Sequence, residues 1–219
     1  MAEKRIAIFG AGGFGREVKG LVDDINARTP EWEFVGYFDE DPSPHRIDPR
    51  AYLGALAELN GWHDSLGIVF AMGDPAAKRR LVRAVHNPLL WFPILIHPTC
   101  VVGVPAASIG EGSIICAGTI ITVDVHIGRH VILNLGCTVG HDTIIGDYSA
   151  FMPAVNISGE VVIGEAVYVG TGASIINRVE IGEGTVVGAG AVAVKSLPAH
   201  CTAVGTPAKP IRFHDPGDL

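Results

Sequence analysis

The chain has 219 residues, 48% of them apolar, and a formal net charge of -7. That length holds one large or two modest units, and an acidic balance whose basic residues form no stripe argues against nucleic acid as a partner. No apolar run is long enough for a signal peptide or a membrane span, so a cytoplasmic protein is expected.

In chain order, residues 5–10 (RIAIFG) read as a short buried strand running into GAGGFG, and residues 16–27 carry Val18, Leu21, Val22 and Ile25 at helical spacing. A second strand, 34–39 (FVGYFD), ends in acidic residues. A third, 67–73 (GIVFAMG), ends in Gly73-Asp74-Pro75 before a helix over 76–86. Alternating strands and helices predict a small parallel, Rossmann-like α/β sheet over residues 1–96, with ligands beyond the carboxyl ends of its strands at loops 10–15, 39–42 and 73–74. Gly10, Gly12 and Gly15 satisfy GxGxxG, and the helix that follows offers free amides to a phosphate. The same glycines also suit a tight turn with no ligand. Asp39 or Glu40 is placed to accept hydrogen bonds from a ribose or base. The α/β part ends before His97, which leaves room for one mononucleotide half rather than two, so a nucleotide or nucleotide-linked substrate is favoured over NAD.

From Ile109 to Val192 the chain repeats every six residues without a slip. Fourteen consecutive hexads begin on an apolar residue, from Ile109, Ile115 and Ile121 through to Val187, and four residues after each comes a small or β-branched one such as Ser113, Thr119, Cys137 or Ala191. A period of six suits neither a lone helix nor a hairpin sheet, but fits a parallel β-helix whose coil is a triangular prism of three hexads. Residues 97–219 are assigned to it. The gap from Val102 to Ile109 is seven residues, one more than the period, so the first coil is expected to be irregular. Ile114, Ile120, Ile132 and Ile144 take the sixth, outward position and need cover, which a closed threefold assembly supplies.

Positions i and i+18 stack on adjacent rungs about 4.8 Å apart. His141 therefore has Val123 below it and Gly159, then Asn177, above, while Asp142 stands beside it between Asp124 and Glu160. That set offers a general base, a carboxylate to orient it, and a side-chain-free amide one rung up for an oxyanion. The rival reading is a polar corner residue in a surface loop. His126 and His130 lie in other columns and read as exposed turn histidines; with His141 they keep a zinc hydrolase, sharing histidines between subunits, among the alternatives. Cys100, Cys116, Cys137 and Cys201 show no CxxC spacing and read as reduced and mostly structural, Cys137 pointing into the prism.

The motifs GAGGFGREV, FDE, AMGDPAAKRR, HPTCVVG, NLGCTVGHDTIIGDYSAFMPAVNISGEVVIGE, VVGAGAVAVKSLP and VGTPAKPIR resemble, over nearly the whole chain, the bacillosamine and sialic acid acetyltransferase family of nucleotide-sugar acyltransferases. The resemblance implies that the β-helix is left-handed, that the protein is a homotrimer with acetyl-CoA in the groove between neighbouring β-helices, and that no metal takes part. The implied reaction acetylates the 4-amino group of a nucleotide-linked dideoxy sugar, GDP-perosamine foremost, by direct attack. Carried over, the base falls on His141, its acidic neighbour on Asp142 and the oxyanion amide on Gly159. The nucleotide-sugar contacts fall on Gly12, Gly13, Phe14, Asp39, Glu40 and Gly73, and the CoA groove passes Gly159, Thr171 and Ala189. Many relatives carry histidine where this chain has Phe14, a departure at the phosphate side. A UDP-linked sugar or a hydroxyl acceptor would use the same base, and a non-catalytic nucleotide-binding trimer would use the N-terminal loops alone; the sequence leaves these open.

Overall fold

Short apolar strands buried on both faces open the chain. In the structure, a computed structural model describing residues 4–41, 47–103 and 107–215, β1 (Lys4–Phe9), β2 (Trp32–Phe38), β3 (Tyr52–Gly54), β4 (Leu66–Phe70) and β5 (Leu90–Trp91) form a parallel sheet in the order β3-β2-β1-β4-β5. Ile6, Ile8, Ile68 and Val69 are wholly covered, as parallel strands between helices require. The helices are α1 (Gly13–Arg28), α2 (Leu56–Asn60) and α3 (Pro75–Ala84). The Asp74 carboxylate accepts from the amides of Ala76 and Ala77 to start α3, and Pro75 fits its first turn. β3 and β5 add to the three expected strands; at three and two residues they are too short to show a period. The sheet therefore exceeds the single half expected, and its order reverses between β1 and β4, where such folds hold ligands. Pro42, at the end of the predicted loop 39–42, lies outside the described residues.

Two-residue strands then recur once per hexad and stack into three parallel sheets, the faces of the prism. Face 1 rises from Leu95–Ile96 to Val186–Val187, face 2 from Val101–Val102 to Val192–Ala193, and face 3 from Ser108–Ile109 to Glu180–Ile181. Ile127 pairs with Ile145, eighteen residues on, whereas Ile96 pairs with Ile115 and Val102 with Ile121, nineteen on. The extra residue is thus absorbed between Val102 and Ile109, a stretch whose residues 104–106 lie outside those described. Every heading residue from Ile115 to Val187 is at most 4% exposed, and the small fifth-position residues are buried beside them. Buried hydroxyls are satisfied: Ser113, Thr119, Thr143 and Ser149 donate to the carbonyls of Gly128, Asn134, Ser158 and Gly164. The hairpin Cys201–Val204 and Lys209–Phe213 extends face 1.

The outward apolar residues do not all await a partner. Ile114, Ile132 and Ala150, on face 1, are buried under the chain's own α/β unit in one cluster with Val18, Leu21 and Val69, while Ile120 and Ile144 stay 44% and 48% exposed. Half of the surface expected to face other subunits is therefore intramolecular. His130 also departs from expectation. It is buried where α3 crosses the corner between faces 3 and 1, its ring stacked on Tyr148 at 5.5 Å and edge-on to Phe92 at 4.8 Å. Among the described residues, its Nδ1 and the Nζ of buried Lys78 have no hydrogen-bond partner. Burial pushes His130 down to about 4 and Lys78 down to about 7, the neighbouring Lys78 and Arg129 charges adding to the shift of His130.

Candidate active site

At the corner between faces 2 and 3 the backbone turns through left-handed residues, Asp124, Asp142, Glu160 and Arg178, a conformation that suits aspartate better than most side chains. The turn at Asp142 (φ 56°) brings its carboxylate beside the preceding ring, and His141 Nδ1 lies 2.7 Å from Asp142 Oδ2. A carboxylate only accepts, so Nδ1 carries the proton and Nε2 presents its lone pair. One rung up, Arg178 grips Glu160 through two hydrogen bonds of 3.1 Å and holds that carboxyl below its usual range, which leaves Asp142 as the partner of His141. A methyl placed on Gly159 would stand 2.5 Å from His141 Nε2. Glycine is needed there because the imidazole lies against its Cα. Among the described residues, nothing accepts from the Gly159 N–H. His141 and Asp142 are more than half exposed, open to a ligand.

A second group gathers at the carboxyl ends of β1, β2 and β4. Gly12 caps α1 without a side-chain bond, Gly13 opens it, both are exposed, and the first turn carries no acidic residue. Phe14 is half-buried against the core under α1. Asp39 accepts from the amides of Ala11 (2.6 Å) and Asp41 (2.9 Å), and Glu40 from that of Leu56 (3.2 Å), so both carboxylates brace loops and keep only part of their acceptor capacity for a ligand. Gly73 faces Met152, at the corner between faces 1 and 2. Thr171 and Ala189 stack on that same corner, one coil apart, both exposed.

His141, Asp142 and Gly159 thus come together, and so do the N-terminal loop residues, but the two groups are apart within one protomer. The α/β unit covers face 1 and the corners flanking it, whereas His141 stands on the corner opposite that face. The three histidines of the zinc reading do not converge either: His126 bonds Ser108 on face 3, and His130 is buried. Cys137 is inward, its thiol pushed up to about 11 by burial, a poor nucleophile. Sequence reasoning missed the buried Lys78, whose position in a charged run (AAKRR) gave no signal of burial. A cleft of about 650 Å3 beyond the end of α1, bordered by Arg28, Trp32 and Ile109, contains none of the predicted site residues.

Residues 5–85 match the PglD N-terminal domain family and residues 160–193 the bacterial transferase hexapeptide (six repeats) family. A histidine-to-asparagine mutant of perosamine N-acetyltransferase from Caulobacter crescentus, solved with CoA and GDP-perosamine, is 31% identical over 96% of this chain and 98% of that one, with a TM-score of 0.82. The chain belongs to the bacillosamine and sialic acid acetyltransferase family. Within reach of the same fold are the acetyltransferase domain of PglB from Neisseria gonorrhoeae FA1090, 28% identical over 95% of this chain and 100% of that one at a TM-score of 0.85, and WeeI from Acinetobacter baumannii AYE, 29% identical over 95% and 100% at 0.84. The PglB domain has also been solved with acetyl coenzyme A. No curated protein sequence matches the chain. As a family member it is an acetyltransferase built on hexapeptide repeats; among the described residues no helix is long and apolar enough to cross a membrane.

Proposed function

We propose that this acetyltransferase moves the acetyl group of acetyl-CoA to the 4-amino group of a nucleotide-linked dideoxy sugar, GDP-perosamine, with His141 as general base. The observation that carries the reading is the imidazole held by Asp142 over the open amide of Gly159. The amine nitrogen attacks the thioester carbonyl while its proton passes to His141 Nε2. Asp142 steadies the imidazolium, the Gly159 N–H donates a hydrogen bond to the developing oxyanion, and the C–S bond breaks to release CoA. No acyl-enzyme is needed. The exposed amides of Gly12 and Gly13, with Gly73, Asp39, Glu40 and Phe14 around them, would hold the nucleotide, and the corner carrying Thr171 and Ala189 would hold the pantetheine arm.

Because these groups lie on different corners of one prism, we assign the complete site to two copies. The corner of one protomer that carries His141 meets the Thr171 corner of the next, and three such contacts close a homotrimer. Exposed Ile120, Ile144 and Val162 supply apolar surface for that contact. The test is thiol release from acetyl-CoA with a panel of GDP- and UDP-linked 4-amino sugars. Turnover with the GDP series, lowered about 100- to 10,000-fold by His141→Asn, is the expected result. Near-normal turnover of the variant would remove His141 as the base, and preference for the UDP series would change the nucleotide.

A further inference from the structure

The core of the prism ends differently at its two poles. At the upper end the hairpin Cys201–Val204 and Lys209–Phe213 closes it, and Leu197, Ala203 and Ala208 are at most 9% exposed. At the lower end the strands Leu95–Ile96 and Ser108–Ile109 are the last of their sheets, with no rung beneath them. Ile96, in the column of fully buried Ile115, is 36% exposed there, and Ile109 is half-buried. The cleft of about 650 Å3 lies against this open end, between the lowest coil and the last turn of α1. Arg28, at the end of α1, and Trp32, at the start of β2, place it at the amino ends of the sheet strands. Gly12, Asp39 and Gly73 stand at the opposite, carboxyl ends, so the cleft is separate from the loops assigned to the nucleotide.

We infer that this cleft is a second ligand site, which binds a small amphiphilic anion: an apolar chain or ring ending in a single carboxylate. Its volume falls within the ~300–1,000 Å3 of small-molecule sites, which are mostly apolar with a few placed polar groups. Ile25, Ile94, Ile96, Pro98 and Ile109 supply the apolar wall. Of the polar groups, Glu31 is already held by Lys4 Nζ at 3.1 Å, and Thr29 offers a hydroxyl that can donate or accept. Arg28 has no ion pair or hydrogen bond among the described residues, so its charge is the uncompensated one. Trp32 is 5% exposed, and its indole N–H has no acceptor among the described residues. Guanidinium and indole only donate, and the guanidinium fork matches a carboxylate. A cationic amphiphile would be repelled by Arg28 and would leave both donors unmet. The wall draws on α1 and β2 on one side and on the lowest coil on the other, so a bound molecule bridges the two units and strengthens their junction.

The experiment titrates the intact protein with octanoate and with octylamine, by calorimetry and by the rise of Tm with ligand concentration. Wild type is compared with Arg28→Gln, Ile94→Glu and Ile94→Lys, all at exposed positions, whose Tm without ligand should match wild type. Octanoate is expected to bind saturably and to raise Tm, with octylamine at least about tenfold weaker. Arg28→Gln should weaken octanoate about fivefold or more by removing the charged donor. Ile94→Glu should weaken it about tenfold or more by setting a like charge in the wall, whereas Ile94→Lys should bind it as well as wild type or better. The site is overturned if octanoate does not saturate, if both probes bind equally, or if Arg28→Gln and Ile94→Glu leave its affinity unchanged. Displacement of octanoate by CoA would put it in the groove assigned to CoA and overturns the site as well. Sedimentation that shows a doubled assembly in wild type, lost in Ile94→Glu, would mean that a second copy covers the cleft, and this too overturns the ligand site.

Discussion

Acid should weaken the junction between the α/β unit and the β-helix through His130, and His130→Asn should remove that sensitivity. The ring is 3% exposed, and its pKa is lowered from 6.5 to about 4, first by burial and then by the Lys78 and Arg129 charges, Asp147 opposing. As pH falls through 6.5 the unfolded chain takes up a proton that the folded protein refuses until about pH 4. The folded state loses about 3 kcal/mol across that window, at 1.36 kcal/mol per pKa unit. Lys78, with its pKa at about 7, stays protonated below neutrality in both states and contributes a constant. Asparagine tolerates the left-handed backbone of position 130 (φ 54°) and does not titrate there. It forfeits the stacking on Tyr148 and Phe92, so at pH 7 the variant should be less stable by about 1–3 kcal/mol. Urea unfolding at pH 7, 5.5 and 4, followed by tryptophan fluorescence, reads the right unit, because Trp32, Trp62 and Trp91 all lie in the α/β part. The stability gap between wild type and variant should close or reverse as pH drops. A gap that changes by less than about 1 kcal/mol between pH 7 and 4 would refute the linkage.

Lys78→Met replaces a buried ammonium that has no hydrogen-bond partner among the described residues by a side chain of similar length, and should stabilise the protein at pH 7 by up to about 5 kcal/mol. The gain should vanish as pH rises from 7 toward 10.5, where the unfolded lysine also becomes neutral; a melting temperature at or below wild type at pH 7 would contradict it. Gly159→Ala should displace the His141 ring and lower kcat about tenfold or more, while circular dichroism and Tm stay near wild type, the ring being able to swing into solvent. Gly15→Ala drives a methyl into the carbonyl of Gly10 and should unfold the α/β unit, seen as lost soluble expression or a Tm lower by several degrees. Normal melting of that variant would mean the turn at Gly10 is looser than described.

The β-helix was legible because each hexad states its role locally. The head residue and its small partner four positions on are inward whatever else the chain does, and all from Ile115 upward are buried. The pairing of His141 with Gly159 followed from the same arithmetic, since a strict period turns sequence separation into height. His130 defeated the reading because a polar corner residue of the hexad looks exposed until the α/β unit is laid across it, and that contact, with Phe92 and beside Lys78, joins residues far apart in sequence. Ile114 and Ile132 share the pattern of Ile120 and Ile144, and only the docking of α1 separates them. Asp39 and Glu40 were rightly placed at a strand end, but nothing in sequence shows which backbone amides a carboxylate will meet first.

A repeat that is uniform inside becomes specialised at the third and fourth positions of its hexads, which form the three corners. Between faces 3 and 1 these positions hold His130, Tyr148 and Ala166, all buried, together with Glu165 and Glu183, which ion-pair with Arg79. That corner is spent on anchoring the α/β unit. Between faces 1 and 2 the fourth position is glycine at 118, 136, 172 and 190, and at the last three an added methyl would touch nothing within 4 Å. Such an edge lets a long flexible ligand lie against backbone. Between faces 2 and 3 the same position holds Asp124, Asp142, Glu160 and Arg178, of which Asp142 bonds the His141 ring and Arg178 holds Glu160. On the proposed function, docking, ligand bed and proton transfer occupy separate corners of one prism. On that proposal a protomer cannot bring its own His141 to its own Thr171 corner, because face 2 lies between them, and a second copy supplies the missing half of the site.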